Sequence, residues 1–294
     1  MYNKRKKKIT AFLFTLPAVA LFLFYFLIPI PMTFFYSFFR WEGFSLRPDK
    51  FVGLGNWYNL FSNEVTWRAL LNNLKFIIYT LLIQIPIGIG LGLLISSKIK
   101  GTNFMRIAFF IPLLIPSTTI AIIWKIIYDP YLGFLNNFLK ILGLEKLAKI
   151  WLGDPEVVVE AIYAATSWQW IPFYMIIFAA ALTEIPKELY EAAMIDGATS
   201  FKRFIYITLP FLKRTIITAA ILGITGSLKY FDLVYILTEG GPGNTSELLA
   251  TYMYKLAFRH QRMGYASAYA FFLFGISLVI SILMYRVYRR GDTV

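Results

Sequence analysis

Few residues in this chain are equipped for chemistry, and their types exclude more than they suggest. There is no cysteine and a single histidine, His260, so thiol nucleophiles, disulfides and multi-histidine metal sites are ruled out. No segment reads GxxxxGK[ST], HExxH or GxSxG, the patterns that cradle a nucleotide phosphate, hold a catalytic zinc or present a nucleophilic serine. An enzyme is therefore not expected. What remains is two sets of polar and aromatic residues set within apolar runs. Lys229, Tyr230 and Asp232 form one. An i, i+3 spacing would let the two charges partly neutralise each other on a helix. They read either as the polar lining of a pathway or as charges reaching toward an interface. Trp168, Gln169 and Trp170 form the other. Aromatic rings suit the C–H faces of a sugar and an amide suits its hydroxyls; packing or lipid contact is the competing reading.

The elements that carry these residues are set by solvent. Fifty-eight per cent of the residues are hydrophobic, with 28 Phe and 19 Tyr, more than a water-soluble domain of this length carries. The net charge of +13 does not point to nucleic acid, because the basic residues sit at the ends of apolar runs rather than on one face. Crossing ~30 Å of hydrocarbon takes roughly 20 apolar residues. Six runs are read as spans: Ile9–Phe39, Phe76–Ser97, Ile107–Trp124, Ala161–Thr183, Thr215–Leu237 and Met263–Tyr285. The expected fold is an all-α, polytopic membrane protein.

Lys and Arg orient the spans. Lys4–Lys8, then Lys98, Lys100 and Arg106, then Lys187, Lys202, Arg203, Lys213 and Arg214, and finally Arg286, Arg289 and Arg290 crowd short segments on one side. That side is expected to be cytoplasmic, with both termini in it. The opposite connections are 40–68, 129–160 and 238–262, the second with a short helix near 135–144. Lys4–Lys8 followed by Ala18-Val19-Ala20 resembles a secretory leader. The apolar run continues far beyond that point, so an uncleaved first span is expected.

The connection between spans four and five, 184–213, is the most informative. Pro186 suits a helix start, and Lys187–Ile195 are mostly good helix formers. Gly197 can supply a left-handed terminator, Thr199 or Ser200 can cap a second helix, and Pro210 falls where the next span begins. Apolar positions 189, 192 and 193, then 201, 204 and 205, follow i, i+3, i+4. Two short amphipathic helices joined by a tight bend are predicted. The residues themselves, Glu191-Ala192-Ala193, Asp196-Gly197-Ala198, Phe204 and the Leu209-Pro210 ending, closely resemble the EAA loop of binding-protein-dependent ABC importers. A second stretch, Thr238-Glu239-Gly240-Gly241-Pro242 with its flanks, is similar to the carbohydrate-uptake, maltose-type (MalF-like) group. Phe51–Trp57 resembles this group too.

The resemblance implies a type I ABC importer permease in the cytoplasmic (inner) membrane, in which 184–213 is a two-helix coupling loop docking onto an ATPase. Residues 1–68 would hold the first span and its external loop, and 69–294 the permease core. The implied partners are a second, homologous permease, two ATPase subunits carrying ATP and Mg, an extracytoplasmic solute-binding protein, and a sugar or oligosaccharide. This chain itself would bind no cofactor. Permeases for glycerol-phosphate, amino acids or peptides are the neighbouring alternatives. An ion-coupled secondary transporter would need more acids within spans than Asp232.

Overall fold

The computed structural model describes residues 4–45, 47–97 and 99–291; Lys98, one of the basic residues used above, lies outside them. In chain order the helices are α1 (Lys4–Phe22), α2 (Pro29–Tyr36), α3 (Gly55–Ser62), α4 (Glu64–Tyr79), α5 (Ile85–Ser96), α6 (Thr102–Leu114) and α7 (Ser117–Ile127). They continue with α8 (Phe134–Ile141), α9 (Val158–Thr183), α10 (Lys187–Ile195), α11 (Ser200–Arg203), α12 (Leu209–Lys229), α13 (Asp232–Thr238), α14 (Leu249–Tyr254) and α15 (Met263–Gly291). The strands among the described residues are Phe39–Arg40 and Lys50–Phe51, an antiparallel pair. Among the described residues, five helical segments are long and apolar enough to cross a membrane: Thr10–Tyr36, Glu64–Ser96, Val158–Thr183, Ser200–Thr238 and Met263–Arg286.

The expected third span is not one straight helix. It is broken between α6 and α7, with a bend of 101°. Proline explains the position. Ile115 precedes Pro116 and takes an extended ψ of 132°, and Pro116 itself sits at ψ 141°, because the ring disfavours helical geometry in the residue before it. The 13 residues of α6 rise only about 20 Å, so a crossing here needs both arms.

Prolines also account for three π-helical turns inside the long segments. Leu23–Leu27, Thr80–Gln84 and Phe204–Thr208 precede Pro29, Pro86 and Pro210. In each case the carbonyl four residues before the proline, that of Tyr25, Leu82 or Tyr206, lies in the middle of the π turn. A proline cannot donate to that carbonyl and its ring clashes with it. The wider turn carries the helix past this point.

The chain forms two compact units. The first holds residues 1–64 and 253–275. There Asn56 Nδ2 donates to the carbonyls of Ser37 and Phe39, each at 2.9 Å, and Phe34 packs on Phe271 with ring centroids 4.5 Å apart. The second holds 65–252 and 276–294. Its core is α5 against α9, brought close by small residues: a Cβ on Gly88 would lie 2.5 Å from the Tyr174 Cβ, and one on Gly92 3.1 Å from that of Phe178.

Candidate functional site

Within the second unit, α9, α12 and the rod formed by α4, its π turn and α5 surround a cavity of about 330 Å³. Phe76, Trp170, Phe173 and Tyr230 supply aromatic wall; Thr80, Gln84, Thr166 and Ser227 supply hydrogen-bonding groups. The π turn presents Thr80 and Gln84 to this space. Thr80 Oγ1 lies 3.2 Å from Ser227 Oγ, and Gln84 Nε2 donates to Ser167 Oγ at 3.3 Å. Gly223 lets α12 approach, since a Cβ there would lie 2.6 Å from Thr80 Cγ2 and 2.7 Å from the Tyr174 hydroxyl. Gly226, three residues on, has nothing within 4 Å of such a Cβ and opens to the cavity.

Lys229 and Asp232 both line this cavity, yet they do not form the i, i+3 pair expected from their spacing. The helix breaks between them: Tyr230 takes φ −64°, ψ 134° and Phe231 φ −139°, ψ −53°. Lys229 is thereby the last residue of α12 and Asp232 the first of α13. Each charge occupies the helix end whose dipole favours it. Asp232 Oδ2 accepts from Ser117 Oγ at 3.5 Å, and Gln169 Nε2 donates to the same Ser117 hydroxyl at 3.3 Å.

The three adjacent residues of α9 separate, because a helix turns ~100° per residue. Trp170 lines the cavity. Trp168 packs edge-on against Trp124, with ring centroids 6.1 Å apart. Gln169 is buried against Ser117, and its Oε1 has no hydrogen-bond partner; the Tyr230 hydroxyl is buried beside Thr166 and Trp170. Of the six pathway candidates, the structure brings together Trp170, Lys229, Tyr230 and Asp232.

Sequence reasoning missed a buried polar seam on α4. Asn72 Nδ2 donates to the carbonyls of Thr245 (2.7 Å) and Glu247 (2.9 Å). Asn73 Nδ2 donates to Ser227 O at 2.9 Å, and its Oδ1 accepts from Leu249 N at 3.0 Å. Glu247 is fully buried and accepts from Thr251 Oγ1 at 2.5 Å. The Gly-Gly-Pro turn closes over it. Gly240 has φ +76°, and a Cβ there would collide with the Glu247 carboxylate. The available signal was the Asn72-Asn73 pair just before an apolar run, since amides in that setting need buried partners.

The 184–213 loop folds largely as its residues dictate. Pro186 stands one place earlier than expected, as the cap of α10, at φ −58°, ψ 131°. Gly197 has φ +75°. Ala198 N donates to Ala193 O at 2.8 Å and Gly197 N to Met194 O at 3.1 Å, a Schellman-type close. Thr199 Oγ1 caps α11 by accepting from Lys202 N at 3.3 Å. The second helix differs from expectation: after four residues it runs through the π turn, which includes Phe204, into α12, with Leu209 and Pro210 opening the latter. The Tyr190 hydroxyl, 2.8 Å from Thr208 Oγ1, ties α10 to that turn. Glu191, Ala192, Asp196, Met194, Ile195 and Phe201 are exposed; Ala193 and Ala198 are half-buried. The bend therefore presents a mixed apolar and acidic surface.

Comparison with known proteins places this arrangement. The family described as "Binding-protein-dependent transport system inner membrane component" matches residues 84–292. The chain is 37% identical to the probable ABC transporter permease protein YurN of Bacillus subtilis, over 97% of this chain and 98% of that protein. It is 34% identical to the trehalose/maltose transport system permease protein MalF of Thermococcus litoralis, over 93% and 88%. A crystal structure of a bacterial ABC transporter involved in import of the acidic polysaccharide alginate contains a chain of similar fold, with TM-score 0.84, 26% identity, and 97% and 96% coverage. The chain belongs to the family of binding-protein-dependent transport system inner membrane components, multi-pass permease subunits of ABC transporters.

Proposed function

We propose that this chain is one permease half of an ATP-driven importer that moves a sugar or oligosaccharide across the cytoplasmic membrane by alternating access. The observation that carries the reading is the cavity. Aromatic faces, hydroxyls, an amide and one charge of each sign meet there inside apolar spans, the chemistry that a polyhydroxylated solute needs. Relatives named for trehalose/maltose and arabinooligosaccharide transport support the same class.

In this reading α10 and the Gly197 bend dock on an ATPase subunit. ATP and Mg reside on two such subunits, and a second permease completes the path. An extracytoplasmic binding protein delivers the solute. A structural relative was crystallised in complex with a pentasaccharide-bound periplasmic protein. Closure of the ATPases would move the loop and turn the cavity outward. Solute must then bind the outward state better than the inward one, since equal affinity for both drives nothing. Both termini lie in the cytoplasm, by the distribution of Lys and Arg.

The test is reconstitution of the assembled transporter in vesicles, with uptake of labelled maltose, trehalose and arabino-oligosaccharides measured against an amino acid and glycerol phosphate. ATP-dependent uptake confined to glycans is expected; uptake of only the amino acid or glycerol phosphate would overturn the substrate class. Single cysteines at Asn244 and Ser200 of this cysteine-free chain should label from outside and inside respectively. Labelling of both from one side would overturn the topology.

A further inference from the structure

We infer that α8 is a membrane-surface helix whose phenylalanine face lies in the bilayer, at the end of α9 opposite the coupling loop. Leu135 and Leu139 are half-buried on its inner side, yet the helix also carries an apolar stripe that faces out. The polar Asn136 is turned inward and only 4% exposed. Its Nδ2 donates to the carbonyls of Pro130 (3.3 Å) and Lys149 (3.0 Å), and its Oδ1 accepts from Trp151 Nε1 at 2.8 Å. Three apolar residues point out: Phe134 is 67% and Ile141 82% exposed, with Phe138 between them. The i, i+4, i+7 spacing makes these one stripe. Just before the helix, Asp129 Oδ1 accepts from the backbone of Tyr131 (2.9 Å) and Leu132 (2.8 Å). That turn leaves Leu132 87% exposed.

Position argues for lipid as the occupant. The segment is tied to the first turns of α9, because the Tyr128 hydroxyl donates to Ala161 O at 2.8 Å and the Tyr128 and Trp151 rings lie 6.1 Å apart. The 26 residues of α9 rise about 39 Å, against about 30 Å of hydrocarbon. Its first turns therefore reach the level where chain gives way to headgroup. A short helix with a bare aromatic and aliphatic stripe at that level partitions into the interface.

The test uses the assembled transporter in phosphatidylcholine–phosphatidylglycerol vesicles. Single spin labels are placed at Phe138→Cys, Ile141→Cys and Lys140→Cys, the last on the exposed side away from the stripe, and their collision with oxygen is compared with that of a water-soluble nickel chelate. The oxygen-to-nickel ratio is expected to be severalfold higher at 138 and 141 than at 140. Equal ratios would put the stripe in water, and exclusion of both reagents would put it against the sister permease or binding protein; either result overturns the inference.

Discussion

The 184–213 loop and the cavity belong to the same unit but are built in opposite ways. In the loop, each feature is made by residues within a few positions of one another: the cap at Thr199, the left-handed Gly197, and the return bond from Ala198 to Ala193. In the cavity, each wall comes from a different helix, and the polar contacts join residues 83 to 147 positions apart, as in Gln84–Ser167 and Thr80–Ser227. The contrast teaches where damage spreads. A local change in the loop should alter how the molecule is driven while the spans stay packed. A change in the cavity should alter what is carried while the drive stays intact.

The largest expected effect is at Gly197. A Cβ there meets nothing within 4 Å, so any penalty comes from φ +75° and not from crowding. A β-branched residue held in that region costs on the order of 1–3 kcal/mol, enough to shift the bend. Gly197→Val should abolish most ATP-driven uptake and loosen ATPase attachment while the chain still inserts. Gly197→Asn, whose side chain tolerates this conformation, should retain much of both. Co-purification of the ATPase subunit and vesicle uptake measure the two together. If Gly197→Val behaves as the native chain, the loop is only a connector.

A smaller, selective effect is expected in the cavity. Trp170→Ala and Asp232→Ala should raise the apparent KM for solute severalfold and leave ATPase attachment unchanged. Trp168→Ala, which faces Trp124 instead of the cavity, should change KM least. Equal KM effects at 168 and 170 would break the distinction between the two tryptophans. The smallest effect concerns packing alone. Gly223→Ala should destabilise the chain by about 1–3 kcal/mol, because its neighbours are tightly packed, whereas Gly226→Ala should be close to neutral. Thermal unfolding in detergent compares the two, and equal shifts would disprove the close approach of α12 to Thr80.

Much of this architecture could be read in one dimension. Long apolar runs bounded by Lys and Arg specify spans, because hydrocarbon leaves a backbone few options besides the helix. The loop was legible for a related reason: capping and left-handed termination are decided over four or five residues, and side-chain type carries that information. The cavity was not. Trp168, Gln169 and Trp170 are one string in sequence, but the helix sends them to three different surroundings. Lys229 and Asp232 were read as partners on one helix until the break at Tyr230 separated them.

Apolar length alone marks which segments leave water, and Pro186, Gly197 and Thr199 alone mark where the bend of the 184–213 loop falls. Each of those outcomes depends on solvent transfer or on a proline or glycine acting within a turn or two. Which side chains share the cavity, and that Asn72 and Asn73 bind the backbone of the segment carrying Glu247, depends on the tertiary structure. It also decided that α8 turns its asparagine inward. Those arrangements depend on how helices rotate and approach, through contacts such as Gly88 with Tyr174 and Gly223 with Thr80. Side chains distant in sequence settle that rotation jointly, and no local pattern records it.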